Sequence, residues 1–225
     1  MPRKPRDPQT VEAIRETFLT TAVGLLIRHG YDGFSIRQLA RELKIVAATL
    51  YNYFPGGKDE LYLLVAARGY DQLNRQFTAA TLKNQTPGET VRALALAYLE
   101  FGMNQPHYYN LLFNSHAPKY MDYRGTPLEP IAQIQNDAAL GVASAAAHAL
   151  SKLTQDTDQE RLSFRLLQLW SMLHGIVSLK NSRVTEEVIH MSQKVIDRYL
   201  NEALEAVLPG HGLSPKTQSP GIPGI

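Results

Sequence analysis

Residues 47–53 read Ala-Ala-Thr-Leu-Tyr-Asn-Tyr. Thr49, Tyr51, Asn52 and Tyr53 carry hydroxyls and an amide, groups that bond phosphate oxygens or base edges. Ala47 and Ala48 are small enough to approach a thymine methyl. Arg37 and Arg41 precede this run and Lys58 follows it, and each could meet a phosphate, with Gln38 a further candidate on the DNA-binding face. Tyr53 and Lys58 are expected on phosphates, and Thr49, Tyr51 and Asn52 on either phosphate or base. Such groups read double-stranded DNA when a helix carries them into the major groove.

The flanking pattern supplies that helix. From Ser35 to Leu43, Ile36, Leu39, Ala40 and Leu43 recur at intervals of three and four and define one apolar face. Ser35 and Gln38 have capping-box spacing. A second short helix is expected from about Val46 to Phe54, with Leu50 and Phe54 turned inward and Thr49, Tyr51, Asn52 and Tyr53 turned elsewhere. A helix of under three turns is marginal alone, so its neighbours must hold it. One helix across the backbone and one in the groove is the helix-turn-helix arrangement.

Over Ile36 to Ala40, Thr49-Leu50-Tyr51-Asn52-Tyr53-Phe54 and Lys58-Asp59-Glu60-Leu61, the chain resembles the TetR family of bacterial transcriptional regulators. It departs from that pattern at Lys44, where glycine is frequent, at Val46, which has no side-chain oxygen to cap a helix, and in one additional glycine before Lys58.

The bulk composition of the 225 residues narrows the class. Hydrophobic residues make up 44%, enough for a real core. The absence of cysteine removes disulfide frameworks and thiolate metal sites, and no apolar run reaches membrane-spanning length. A cytoplasmic protein is expected. Net charge is only +2, but residues 1–68 hold ten Lys/Arg against seven Asp/Glu while the remainder holds thirteen against fourteen. Arg3, Lys4 and Arg6 form a short basic arm that could add phosphate contacts or simply be solvated. The seven histidines include no i, i+4 pair, so no metal is expected, and no cofactor either. Hydrolase, nucleotide-binding and zinc-protease motifs are absent, and an enzyme is not expected.

In chain order, Asp7-Pro8 starts a helix that Gly30 ends. A long helix is expected from near Lys58 to Leu82, then a break, then a T-x-x-E box at Thr86 opening a helix to about Asn104. Further helices are expected over about 128–153, from about 156, and from Thr185 to Leu208. The expected fold class is all-α, about nine helices: an N-terminal helix-turn-helix bundle and a larger C-terminal helical domain for ligand binding and dimerisation. Residues 1–8 are read as a basic flexible arm, 9–55 as the DNA-binding domain, 56–208 as the effector and dimerisation domain, and 209–225 as a disordered tail.

Trp170-Ser171-Met172-Leu173-His174-Gly175 resembles the W-x-x-x-H-G motif of a C-terminal subclass of the same family, the WHG type. The resemblance implies a homodimer joined through the last two helices, two recognition helices about 34–36 Å apart on a near-palindromic operator, and a small-molecule pocket. Candidates to line it are Tyr98, Phe101, Met103, Tyr108, Tyr109, Phe113, Met121, Trp170, Met172 and His174, which suit a largely hydrophobic or aromatic effector. Aromatics at helical spacing equally read as core, and His174 as a packing histidine. The expected function is a repressor released by its effector. The alternative is a helical dimeric sensor or scaffold without DNA binding.

Overall fold

The computed structural model describes residues 7–82, 86–188, 192–208 and Gly210. Arg3, Lys4 and Arg6 of the arm, residues 83–85 of the expected break, Ile189 of the expected last helix and nearly all of the tail lie outside the described residues.

Asp7 caps helix α1 (Pro8–Gly33), its carboxylate accepting from the Thr10 amide at 3.2 Å, with proline in the first turn. Phe18, Ala22 and Leu25 form its buried stripe. Gly30, with φ 66°, breaks the helical path in the left-handed region that glycine enters freely, and one more turn follows. Helices α2 (Ile36–Glu42) and α3 (Ala47–Tyr51) come next, then α4 (Gly57–Thr81). The Thr86 box forms in full: the Glu89 amide bonds the Thr86 hydroxyl at 3.3 Å, and the Thr86 amide bonds the Glu89 carboxylate at 2.9 Å. It opens α5 (Pro87–Asn104). After α6 (Pro106–Tyr109) the chain makes a π-helical turn, Asn110–Asn114, and a 3-10 turn, Tyr120–Tyr123. Helices α7 (Glu129–Thr154), α8 (Gln159–Asn181), α9 (Val184–Glu187) and α10 (Gln193–Val207) complete ten helices, with no strand among the described residues.

Two differences from expectation have local causes. The last helix is not continuous from Thr185: α9 ends at Glu187 and α10 begins after Ser192, whose extended backbone (φ −76°, ψ 161°) is that of an N-cap. At Ser35 only half of the expected box forms. The Gln38 amide bonds the Ser35 hydroxyl at 3.3 Å, but the Gln38 side chain bonds that hydroxyl at 3.0 Å and not the Ser35 amide.

The described residues cluster as two compact units, one up to Asp71 with His107–Ala139, the other Gln72–Pro106 with the residues from Leu140 on. In the first, α2 packs on α1 and α3, and the π turn packs on α1. Gly69 lets α6 and the π turn approach α4 as well: a Cβ there would lie 3.0 Å from the Tyr108 ring and 3.1 Å from Leu112. In the second, α8 packs between α5 and α10. The stripe Leu162, Leu169, Leu173 and Ile176 is buried there, as are Leu94, Tyr98 and Leu99 of α5 and Ile196 and Leu200 of α10, each side chain contributing about 1.5–3 kcal/mol by leaving water.

Candidate nucleic-acid interface

The turn between α2 and α3 is set by Lys44. Its backbone is left-handed (φ 55°), its amide bonds Arg41 O at 3.1 Å, and the Ile45 amide bonds Ala40 O at 2.9 Å. This is a Schellman motif with lysine where glycine is favoured, so the same bonds form at a conformational cost of about 1–2 kcal/mol. Val46 then enters α3 extended and exposed, with no side-chain cap.

Helix α3 is five residues long, shorter than the expected Val46–Phe54. Leu50 is fully buried and fastens it. Its C-terminal end tightens: the amides of Tyr53 and Phe54 both bond Leu50 O, at 3.0 and 2.8 Å. That tightening corrects one expectation. Tyr53 does not turn outward. It is only 8% exposed and packs edge-on against Phe18 at 5.2 Å.

The other candidates on this face differ in exposure. Ala48, Tyr51 and Asn52 are exposed, and Ala47 and Thr49 are half-buried. On α2, Arg37 is exposed and Gln38 is half-buried beside Ser35. Lys58 is half-buried, its ammonium 4.1 Å from the centre of the Tyr31 ring. The additional glycine has a use as well. Gly57 takes φ 60°, and a Cβ there would meet the Tyr51 ring at 3.0 Å, so the glycine leaves room for that tyrosine.

Sequence reasoning missed the clamp that holds the end of α3. Arg15 of α1 donates to Tyr53 O, lies 4.5 Å over the Phe54 ring and pairs with Glu60 at 3.6 Å. Glu60 is almost fully buried, and its other oxygen accepts from the Gly56 amide at 2.9 Å. A buried ion pair adds little net stability, but losing one partner strands the other, so the pair fixes geometry. Glu60 sits near the start of α4, where a carboxylate caps free amides, and that was a readable signal. Arg15 gave none, because its three partners lie 38, 39 and 45 positions away.

The ten effector candidates divide between the units. Tyr108, Tyr109, Phe113 and Met121 belong to the first. Tyr109 is fully buried core, Phe113 meets Tyr109 and Tyr70 at 5.0 and 5.9 Å, and Tyr108 is half-buried. Met121 is 65% exposed, so as a lining residue it is a correction: the short 3-10 turn carries its side chain into solvent. The other six are in the second unit. Phe101 is fully buried core, and Met103 is half-buried. The Trp170 indole N–H donates to the Tyr98 hydroxyl at 2.9 Å, and the Trp170 and His174 rings stand 6.2 Å apart. Met172 is half-buried, and its carbonyl accepts from the Tyr199 hydroxyl at 3.1 Å. Burial pushes the His174 imidazole below the usual histidine range. A cleft of about 250 Å³ in the first unit is lined by Glu12, Arg15, Glu16, Arg68, Asp71 and Ile134 among others, and by none of the ten.

Among the described residues no group of histidines and carboxylates could hold a metal, and no helix is long and apolar enough to cross a membrane. An all-helical chain with a capped helix, a tight left-handed turn and a short helix showing small and polar side chains outward defines a helix-turn-helix DNA-binding regulator. The profile described as "Bacterial regulatory proteins, tetR family" matches residues 18–65, and "Tetracyclin repressor-like, C-terminal domain" matches residues 91–207, and the chain belongs to the TetR family of transcriptional regulators. It is 24% identical over 192 residues to an uncharacterized HTH-type transcriptional regulator of Mycobacterium tuberculosis, covering 82% of this chain and 81% of that one. Its fold resembles the TetR family regulator PfmR of Thermus thermophilus (TM-score 0.53, 17% identity, 72% of this chain and 84% of that one). It also resembles a TetR-like regulator of Rhodococcus sp. RHA1 (TM-score 0.58, 19% identity, 92% and 100%).

Proposed function

We propose that this regulator is a repressor. It acts in the cytoplasm by binding rather than catalysis, as a homodimer on a near-palindromic operator, and a small, largely hydrophobic or aromatic molecule releases it. The observation that carries the DNA half is the division of α3: Leu50 is wholly buried while Ala48, Tyr51 and Asn52 face solvent. Within this reading residues 9–55 hold the DNA-binding elements and 56–208 the effector and dimer functions. Arg37 and Lys58 meet phosphates, and Thr49, Tyr51 and Asn52 meet phosphate or base. A two-fold pair of such helices spaces two half-sites by one turn of DNA, about 34–36 Å. The effector half is supported by the mixed aromatic and polar character around Tyr98, Trp170 and His174.

Dimerisation is supported by the outer side of α8, where Phe164, Leu167 and Leu179 are exposed large apolar residues. In the released state α4 shifts and alters the spacing of the two recognition helices, a coupling of about 1–3 kcal/mol. A gel shift on the gene's own upstream region tests the DNA half. The wild type should retard it, and Tyr51→Ala with Asn52→Ala should not. If the wild type retards no upstream fragment, a sensor without DNA binding is favoured. Thermodynamic linkage tests the switch: operator DNA should weaken effector binding by the same factor that effector weakens DNA binding. Equal effector affinity with and without operator would remove the switch and leave DNA binding standing.

A further inference from the structure

The phosphate contact assigned to Lys58 rests on the reading just given, and the structure supplies it with a support. Tyr31 is held at three points, one on its backbone and two on its side chain. Its backbone carbonyl accepts from the Phe34 amide at 3.3 Å, its hydroxyl donates to Asp59 Oδ1 at 2.6 Å, and the Tyr62 ring meets it edge-on at 5.0 Å. Burial, and then the bond to Asp59, push the Tyr31 hydroxyl well above the usual tyrosine range, so it stays protonated and keeps donating. The Lys58 ammonium lies over the face of this ring, 4.1 Å from its centre. Lysine is a flexible chain with a point charge at its tip, and a contact made from a disordered lysine loses rotamer freedom on binding. A rigid aromatic face attracts the ammonium through its quadrupole and leaves the outer hemisphere of the charge open. Asp59, the adjacent carboxylate, would otherwise compete for that charge, and one of its oxygens is occupied by the Tyr31 hydroxyl.

We propose that Tyr31 is a positioning residue for DNA binding: its ring is a shelf that holds the Lys58 ammonium at the start of α4 and so pre-orders one phosphate contact. Tyr31 touches no DNA in this arrangement and acts only through Lys58. The shelf joins the end of α1 to the start of α4, and α3 lies between them in the chain. The phosphate anchor is therefore set by the same bundle that sets the reading helix.

The test is a double-mutant cycle on the full chain, with binding to a random-sequence DNA duplex read by fluorescence anisotropy across a salt series. Such binding is carried almost wholly by phosphate contacts, so no operator need be known. Lys58→Ala should weaken binding and make the salt slope shallower by about 0.9 for each protomer that contacts the duplex. Tyr31→Leu should weaken it about two- to fivefold when Lys58 is present and not at all in the Lys58→Ala background. Tyr31→Phe keeps the ring and should bind within about twofold of wild type. A ring-fluorinated phenylalanine at position 31 has nearly the same shape and a weakened π face, and should fall to the leucine value. That variant decides the matter even if Tyr31→Leu fails to fold. Losses that simply multiply in the double variant, or a fluorinated ring that binds like phenylalanine, would overturn the shelf while wild-type binding stands. A wild type that does not bind the duplex at about 50 mM salt would overturn the DNA reading and the shelf together.

Discussion

Helices α3 and α8 each bury one side and expose the other, and the exposed sides are opposite in chemistry. Helix α3 buries Leu50 and shows alanine, tyrosine and asparagine to solvent. Helix α8 buries Leu162, Leu169, Leu173 and Ile176 and shows Phe164, Leu167 and Leu179, with Trp170 at 44% exposure beside them. The buried sides are alike because both are fastened by the same hydrophobic effect. On the proposed reading the outward sides differ because the partners differ. A hydrated polyanion is met by small and hydrogen-bonding groups, whereas an apolar face exposed in water is the mark of a protein surface awaiting its complement. The lesson is that the core-facing stripe gives the fold, and the opposite stripe of the same helix gives the kind of partner.

The largest expected effect strikes what lies beneath the polar face. Leu50→Ala should cost about 2–5 kcal/mol in chemical denaturation and abolish DNA binding with it, because nothing else on α3 is fully buried. A loss below about 1 kcal/mol would mean that the clamp from Arg15, not Leu50, fastens the helix. Next comes the apolar face. Phe164→Glu with Leu167→Glu should leave the monomer's thermal stability nearly unchanged but weaken self-association about a hundredfold, roughly 3 kcal/mol, by sedimentation. If the doubly charged variant associates like the wild type, that side of α8 is not the dimer surface.

A smaller change sharpens the contrast from the other direction. Lys44→Gly should stabilise the chain by about 1 kcal/mol by relieving the left-handed lysine, and Val46→Ser by about 0.5–1 kcal/mol through the missing cap. Failure of both to raise the melting temperature would show that α3 is held wholly by its packing. The smallest effect concerns His174. Its folded pKa is lowered by burial, so the unfolded chain takes up a proton first as pH falls. The associated stability is present above the ordinary histidine pKa and is lost as pH drops through and below it. Between about pH 8 and pH 5.5 the wild type should therefore lose more melting temperature than His174→Gln.

What the sequence disclosed was mostly local. The caps at Asp7 and Thr86, the break at Gly30, the inward Leu50 and the outward Tyr51 and Asn52 all follow from a residue and its neighbours within one turn. Tyr53 was misread because an even 3.6-residue period does not describe the tightened end of α3. The clamp of Arg15 on Tyr53, Phe54 and Glu60 was invisible, as was the packing of the π turn on α1, since both join residues far apart in the chain. The effector candidates were chosen by type alone, and type does not distinguish a buried core ring such as Phe101 from a solvent-facing methionine such as Met121.

The brevity of α3 bears on how such a regulator could be retargeted. Its hold on the rest of the protein passes through Leu50 and through groups beyond its last turn, so Ala47, Ala48, Thr49 and Asn52 carry almost none of the architecture. Tyr51 is less free, because it rests against Gly57. A combinatorial library at those four positions could therefore be screened for new binding sequences without first rescuing folding, since the scaffold keeps its melting behaviour while the lettering on its surface is rewritten.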